Sequence, residues 1–290
     1  MVRVGAGVAL CVAVVVTTLA VRAPTAARVP IVDDPPPGAR TTSILEHHVR
    51  PLPLESLVDV PLPPPPRVPP QEVAFRFATR PGADGVIGVI HGGSPIGRGV
   101  ALTFDMDGGP PSLAIVQWLV DHQVPATFFI SGGELDKLDV NRQALVLAAA
   151  HPELFEIGNH TFSHLELTRL TNAQIAAELD ASAARIWAVA GISPLPWLRP
   201  PYGTEDPRVV AAARDAGYPL VVLWNVDPAD WRVGLTGETV AAGVVGASGP
   251  GAIVLLHLRE WSTFDALPAI VDGLRANGLM PVRVGDFIAG

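Results

Sequence analysis

The chain has 290 residues, a formal net charge of −8 at pH 7 and a single cysteine, Cys11. The acidic balance and the lack of basic clusters argue against a nucleic-acid partner. One cysteine, placed near the N-terminus, excludes a disulfide framework and thiol chemistry in the remainder of the chain.

The N-terminal segment has the pattern of an export signal. Arg3 is followed by an uncharged run over residues 4–21 and then by Arg22, as is typical of secreted or anchored proteins. The run lies at the lower length limit for spanning a bilayer, and small residues at 23–27 can supply a cleavage site. A cleaved signal peptide and membrane attachment through residues 4–21 both stay open for residues 1–27. Either one predicts an extracytoplasmic protein, secreted or held at the cell envelope.

Proline is concentrated in the next part of the chain. Of the 30 prolines, 15 lie between Pro24 and Pro81, which predicts an extended, partly polyproline tether. We therefore expect residues 28–82 to form a proline-rich linker and residues 83–290 to form one folded domain. Whether residues 50–80 pack on that domain stays open, as does the oligomeric state.

Five apolar runs in the folded part end abruptly in polar residues that can bind a metal or move a proton. Continuous rather than alternating apolar character predicts strands buried on both faces of a parallel sheet, where ligands gather at the carboxyl ends. The runs are residues 99–104 before Asp105, 154–157 before Asn159 and His160, 196–198 before Arg199, 220–224 before Asn225 and Asp227, and 252–256 before His257. We therefore expect these ends to converge on one site.

Segments with helical periodicity alternate with these runs. They cover residues 112–122, 142–150, 171–190, 207–216, 236–247 and 265–277. Thr171 is a plausible N-cap, and Gly191, Gly217 and Gly278 are plausible helix ends. The alternation predicts an α/β fold, a distorted (β/α) barrel with mostly parallel strands.

Two histidines four residues apart form the first candidate for chemistry. One helical turn separates His160 from His164, so both imidazoles can point at one cation. The competing interpretation is a pair of loop histidines that bond to the backbone. The other polar strand ends favour the metal site.

The first strand ends in two carboxylates, Asp105 and Asp107. Residues i and i+2 of a strand share a face, so one carboxylate can complete a three-ligand metal site with the histidines while the other acts as general base. A glycine-rich turn is the simpler alternative. A calcium loop is excluded because Val116 occupies the twelfth position, where a Glu is needed.

Three further segments carry functional groups. His257 ends an apolar strand, and on its own it resembles a satisfied core histidine. The segment from Asp227 to Trp231 offers a carboxylate to orient that histidine and an aromatic face for a sugar. The segment from Arg199 to Gly203 offers a cation and free backbone N–H groups. The chain contains no Gly-x-Ser-x-Gly elbow and no phosphate loop.

Taken in order, these segments resemble the polysaccharide deacetylase family, the NodB-homology domain of carbohydrate esterase family 4. Residues 103–110 resemble its Thr-Phe-Asp-Asp-Gly-Pro motif, and residues 126–129 resemble the strand that follows. Residues 160–164 match its His-Ser/Thr-x-x-His motif. Three later motifs are matched by residues 199–203, 227–231 and 255–257.

The resemblance implies a role for each matched residue. Asp107, His160 and His164 would hold a divalent metal, usually Zn²⁺, with Co²⁺ or Ni²⁺ as alternatives. The catalytic residues would be Asp105 as general base, His257 as general acid, Arg199 steadying the base and Asp230 orienting the acid. The substrate would meet the Tyr202 backbone N–H at the oxyanion, and Trp231 and Leu255 at the acetyl methyl group.

The first motif departs from the family pattern, because Asp105-Met106-Asp107 and an additional glycine replace the adjacent Asp-Asp-Gly. The insertion leaves open which carboxylate binds the metal and how much room the substrate has. The implied activity is removal of N-acetyl groups from a polysaccharide such as peptidoglycan or a chitin-like polymer. An O-acetyl esterase and a glycan-binding module with impaired turnover are the alternatives. The sequon Asn159-His160-Thr161 overlaps the site, which favours a bacterial origin.

Overall fold

The computed structural model describes residues 88–93 and 97–289. The expected signal or anchor segment and the proline-rich linker lie outside the described residues. None of the helices in the described part combines the length and the apolar character needed to cross a membrane.

Within the described residues, eight parallel strands form one sheet that curls into an incomplete barrel. In sheet order they run β1-β6-β5-β4-β3-β2-β7, and β8 pairs with the beginning of β2. A parallel bridge also joins Val226, four residues after β6, to Val254 of β7. The bounds are β1 Val89–Ile90, β2 Gly99–Met106, β3 Ala126–Ile130, β4 Phe155–Asn159, β5 Trp197–Leu198, β6 Leu220–Val222, β7 Ala252–His257 and β8 Met280–Val282.

Seven α-helices connect and cover the strands of the described part. They are α1 Ser112–Asp121, α2 Asp139–Ala149, α3 Asn172–Ala190, α4 Pro207–Asp215, α5 Gly237–Ala247, α6 Trp261–Ala276 and α7 Val284–Ala289. Helix α3 shows why local sequence can set a boundary. Thr171 and Gln174 form a capping box at its start, and Gly191 closes it with a left-handed φ of 66°.

The two faces of β2 serve different purposes. Leu102, Phe104 and Met106 face the main core, which also contains residues of α1, α2, α5 and α6. The alternate residues Thr103 and Asp105 point to the other face, which lines the interior of the barrel. A buried apolar layer on one side therefore fixes the direction of the polar side chains on the other.

The predicted α/β barrel with parallel strands is confirmed, with differences at particular boundaries. Strand β2 continues two residues beyond the predicted end and includes Asp105 and Met106. Helices α2 and α6 begin three and four residues earlier than predicted, and neither has a side-chain hydrogen bond at its N-cap. Strands β1 and β8 and helix α7 were not predicted.

Candidate active site

The carboxyl ends of the central strands bring the predicted polar residues together. Asp105 on β2 pairs in register with His257 on β7. His160 directly follows β4, and Arg199 directly follows β5. The expected convergence is therefore met for four of the five strand ends. The polar residues after β6 bind elsewhere, because Asn225 accepts the backbone N–H of Ile253 and Asp227 accepts that of Ala229. His257 does not lie apart from the histidine loop, an arrangement that would have ruled out the predicted site.

Asp105 lies at the centre of this cluster. Its Oδ1 accepts a hydrogen bond from Arg199 Nη1 at 2.8 Å, and its Oδ2 lies 3.4 Å from His160 Nε2. Burial alone would raise the pKa of Asp105, but its electrostatic interactions with His160, Arg199 and His257 outweigh burial and lower that pKa below its ordinary value. The carboxylate is thus ionised at neutral pH, as a proton acceptor must be.

Arg199 is completely buried, with none of its side chain exposed. Its guanidinium donates to Asp105, to the Thr103 hydroxyl at 2.8 Å and to the carbonyl of Val222 at 3.1 Å. The guanidinium carbon also lies 4.2 Å from the centre of the Phe129 ring. Each of its three nitrogens donates at least one hydrogen bond, which makes a buried cation tolerable here and fixes Asp105 in one orientation.

The loop after β4 carries both histidines of the predicted metal site. His160 Nδ1 donates to the Arg199 carbonyl at 2.7 Å, which leaves Nε2 as the free acceptor nitrogen of the neutral ring. The rings of His160 and His164 are 4.9 Å apart between centroids. Burial lowers the pKa of both histidines, which favours the neutral form that ligates metals.

Two further side chains hold this loop, those of Glu178 and Asn159. The Glu178 carboxylate accepts the backbone N–H groups of Phe162 at 3.0 Å and Ser163 at 2.7 Å. Asn159 accepts the backbone N–H of Thr161 at 2.8 Å. Such bonds compensate for the positive φ of 66° at Thr161, a conformation that β-branched residues rarely adopt.

His257 donates two hydrogen bonds to Asp230. Its Nδ1 donates to Asp230 Oδ1 at 2.7 Å, and its backbone N–H donates to Oδ2 at 2.8 Å. The Thr263 hydroxyl, from the first turn of α6, also donates to Oδ2 at 2.6 Å. Burial lowers the pKa of His257, but the bond to Asp230 and the negative charges of Asp230, Asp105 and Asp107 raise it to about 9. His257 is therefore protonated at neutral pH.

Asp107 follows the end of β2 and faces Arg259. Its Oδ2 lies 3.1 Å from Arg259 Nη1, whereas its buried Oδ1 has no hydrogen-bond partner. Burial raises the pKa of Asp107, while the charges of His257 and Arg259 act in the opposite direction. A buried carboxylate oxygen without a hydrogen bond is unfavourable, and a bound cation would compensate its negative charge.

The side chains of His160, His164 and Asp107 have the donor atoms that a divalent metal requires, but they do not converge on a single point. Within residues 88–93 and 97–289, no group of three or more His, Cys, Asp or Glu side chains is arranged to hold an ion. The neutral His160 and His164 rings and the free oxygen of Asp107 are nevertheless the nitrogen and oxygen ligands that Zn²⁺ prefers. We regard these three residues as the candidate ligands.

The predicted substrate-binding residues lie at different depths. Tyr202 and Trp231 are exposed, and the Tyr202 hydroxyl lies 3.3 Å from His164 Nδ1. Tyr202 has a positive φ of 62° at the turn after Arg199. Leu255 is buried on β7, two residues before His257 and in register with Thr103.

Sequence reasoning missed the supporting residues Thr103, Glu178, Thr263 and Arg259. Thr103 had the detectable signal of a polar residue inside an apolar run. The other three lie on neighbouring elements, and no local pattern connects them with the groups they contact.

Comparisons with known proteins agree with this geometry. A family model described as polysaccharide deacetylase matches residues 92–221. The chain is 32% identical over 187 residues to the peptidoglycan-N-acetylglucosamine deacetylase of Bacillus cereus, with 62% of this chain and 64% of that protein aligned. It is 34% identical over 200 residues to the chitooligosaccharide deacetylase of Rhizobium leguminosarum bv. trifolii, with 62% of this chain and 87% of that protein aligned.

A solved structure shares the fold. The crystal structure of a carbohydrate esterase family 4 pseudoenzyme from Bacillus anthracis matches with a TM-score of 0.63 and 27% identity, over 69% of each chain. Among the two deacetylases named above, the chain spans slightly under two thirds of the length of the Bacillus cereus protein and most of the length of the Rhizobium leguminosarum protein.

Proposed function

The chain belongs to the polysaccharide deacetylase family of hydrolases, and from this premise we propose that it is a metal-dependent enzyme that removes N-acetyl groups from a polysaccharide. One observation carries the proposal: an ionised Asp105, fixed by Arg199, lies in register with His257, which is protonated and fixed by Asp230. A general base and a general acid therefore stand on adjacent strands, beside two neutral histidines.

A bound divalent metal, Zn²⁺ or alternatively Co²⁺ or Ni²⁺, would supply water activation and carbonyl polarisation. The metal-binding roles assigned to Asp107, His160 and His164 are part of this proposal. Each of the three residues offers a free or neutral donor atom, as ligation requires.

The protein residues then divide the proton transfers. Asp105 accepts a proton from the attacking water, and Arg199 keeps the carboxylate oriented. The Tyr202 backbone N–H stabilises the oxyanion of the tetrahedral intermediate. His257 gives its proton to the sugar nitrogen as the C–N bond breaks, so that acetate and a free amine leave. Trp231 and Leu255 line the space for the acetyl methyl group.

We propose an N-acetylated envelope glycan, peptidoglycan or a chitin-like polymer, as the substrate. The named relatives act on peptidoglycan and chitooligosaccharide by their descriptions, and an export segment would deliver this chain to the same compartment. An extracytoplasmic location, secreted or anchored through residues 4–21, is part of the proposal.

Acetate release tests the activity and separates it from an esterase. The full chain, loaded in turn with Zn²⁺, Co²⁺ and Ni²⁺, is assayed on chitooligosaccharide, peptidoglycan and acetylated xylan. We expect acetate from at least one of the first two substrates. Acetate from xylan alone would replace the amide reaction with an ester reaction.

An impaired glycan-binding module is the second candidate, because the chain also resembles a pseudoenzyme and its first motif carries an insertion. This candidate predicts glycan affinity, measurable by calorimetry, without acetate release under any of the three metals. Binding together with turnover would remove it.

The raised pKa of His257 predicts a pH dependence. A general acid must be protonated, so kcat/KM should hold at neutral pH and fall as the pH rises through about 9. In Asp230→Asn the charge that raises the pKa is lost while burial remains, so the alkaline limb should move to lower pH. A pH–rate profile of both proteins measures the shift.

Thr263→Val is the matched control, because it removes one hydrogen bond to Asp230 but leaves the negative charge in place. Its alkaline limb should stay close to that of the wild type. An alkaline limb that does not move in Asp230→Asn would remove His257 from the role of acid.

A further inference from the structure

The extended first motif packs against the loop that follows β7. Met106, one of the two additional residues, is almost fully buried in the main core, so its insertion lengthens β2 rather than its loop. Gly109 then runs directly over Arg259, and a Cβ at Gly109 would collide with the Arg259 backbone. The extended first motif and the loop that carries Arg259 are therefore packed together as one unit.

Arg259 connects that unit to Asp107. Its Nη1 donates to Asp107 Oδ2 at 3.1 Å, and its Nε donates to Glu260 Oε1 at 2.9 Å. The Arg259 side chain is 41% exposed, whereas that of Asp107 is 14% exposed. The cation thus reaches inward from the rim to one oxygen of the carboxylate, and the buried second oxygen has no partner.

We propose that Arg259 is a positioning residue for the candidate metal ligand Asp107, holding Oδ2 so that Oδ1 is presented to the ion. The inference rests on the proposed function, because it takes Asp107 as a ligand. Lengthening β2 by one residue moves the second carboxylate along the chain, and the contact with Arg259 fixes its direction after that change. Hydrogen-bonded outer partners of this kind commonly set the orientation of metal ligands.

Two physical effects compete at this position. A guanidinium near a divalent cation repels it, which would make removal of Arg259 tighten metal binding. A carboxylate with no outer partner must be ordered by the metal itself, which weakens binding. Arg259 donates to Asp107 Oδ2 and also to the Glu260 carboxylate, whose negative charge offsets part of its positive charge. We therefore expect the orienting effect on Asp107 to outweigh the repulsion of the metal ion.

Metal affinity without substrate is the test. Zn²⁺ is titrated into the full chain against a chromophoric chelator, and Co²⁺ absorption spectra report the ligand geometry. Arg259→Met should weaken Zn²⁺ binding by about 10- to 100-fold. Arg259→Lys keeps one donor and should recover part of that loss, which a merely structural role would not explain. Melting curves establish that each variant is folded.

Two matched variants define the possible outcomes. Arg214→Met removes the same charge from an exposed ion pair with Asp215 on α4 and should leave Zn²⁺ affinity unchanged. Asp107→Ala should lose affinity if Asp107 is a ligand. If Arg259→Met binds Zn²⁺ as tightly as the wild type or more tightly, while Asp107→Ala binds it more weakly, only the proposed role of Arg259 is overturned. Zn²⁺ affinity in Asp107→Ala equal to that of the wild type removes Asp107 as a ligand and, with it, the role of Arg259. A wild type that binds no Zn²⁺ overturns the proposed metal centre as well.

Discussion

Asp105→Asn should lower kcat/KM for acetate release by about 10²- to 10⁴-fold, the range that general-base catalysis contributes, while metal binding persists. Asn keeps the shape of the side chain and can still accept a hydrogen bond from Arg199 Nη1, but it cannot take a proton from water. Acetate release from chitooligosaccharide and metal content by elemental analysis measure the two effects.

Asp107→Ala is the counterpart that separates the two carboxylates. It removes the buried oxygen that has no protein partner and should abolish metal binding, and turnover with it. The Met106 insertion makes this comparison necessary, since the family pattern places the two carboxylates side by side. Loss of metal from Asp105→Asn, together with retention in Asp107→Ala, would exchange the proposed roles.

The end of β2 shows why a strand boundary could be misjudged from sequence. An apolar run was expected to stop at its first charged residue, but β2 continues through Asp105 to the buried Met106. A carboxylate can lie inside a sheet when a cation compensates for it, and here Arg199 does so from 94 residues away. A local pattern contains no information about that partner.

Helix boundaries were likewise predictable only where local sequence determines them. Helix α3 was predicted closely because Thr171, Gln174 and Gly191 encode its ends. Helix α6 has no side-chain cap at Glu260, and the contact between Thr263 and Asp230 ties its first turn to the site instead. Strands β1 and β8 have two and three residues, too few for periodicity to reveal.

The candidate site was predictable to the extent that motifs carry it. His160, Arg199 and His257 were identified because each ends a strand and matches an ordered motif, and the structure places them around Asp105. Glu178, which holds the histidine loop, and Arg259, which contacts Asp107, could not be found in this way. Both depend on how a helix or loop from another part of the chain packs on the sheet.

Arg199→Met should destabilise the fold by about 3–5 kcal/mol, the usual cost of removing one member of a buried ion pair. The variant leaves the buried Asp105 carboxylate without its cation and leaves the Thr103 hydroxyl and the Val222 carbonyl without their donor. Urea unfolding at neutral pH measures the loss. Arg214→Met, which breaks an exposed pair, should cost no more than about 1 kcal/mol.

The pH dependence identifies the carboxylate as the source of that loss. In the wild type the pKa of Asp105 lies below its ordinary value of 3.8, so its ion pair stabilises the protein above that pH and the stabilisation fades as the pH falls. Arg199→Met removes one of the interactions that lower the pKa of Asp105, so that pKa rises relative to the wild type, and protonation removes the unpaired charge at a higher pH. The stability gap between wild type and Arg199→Met should therefore shrink on acidification, and it should also shrink when both proteins carry Asp105→Asn. A gap that stays constant in both comparisons would assign the loss to packing against Phe129 instead.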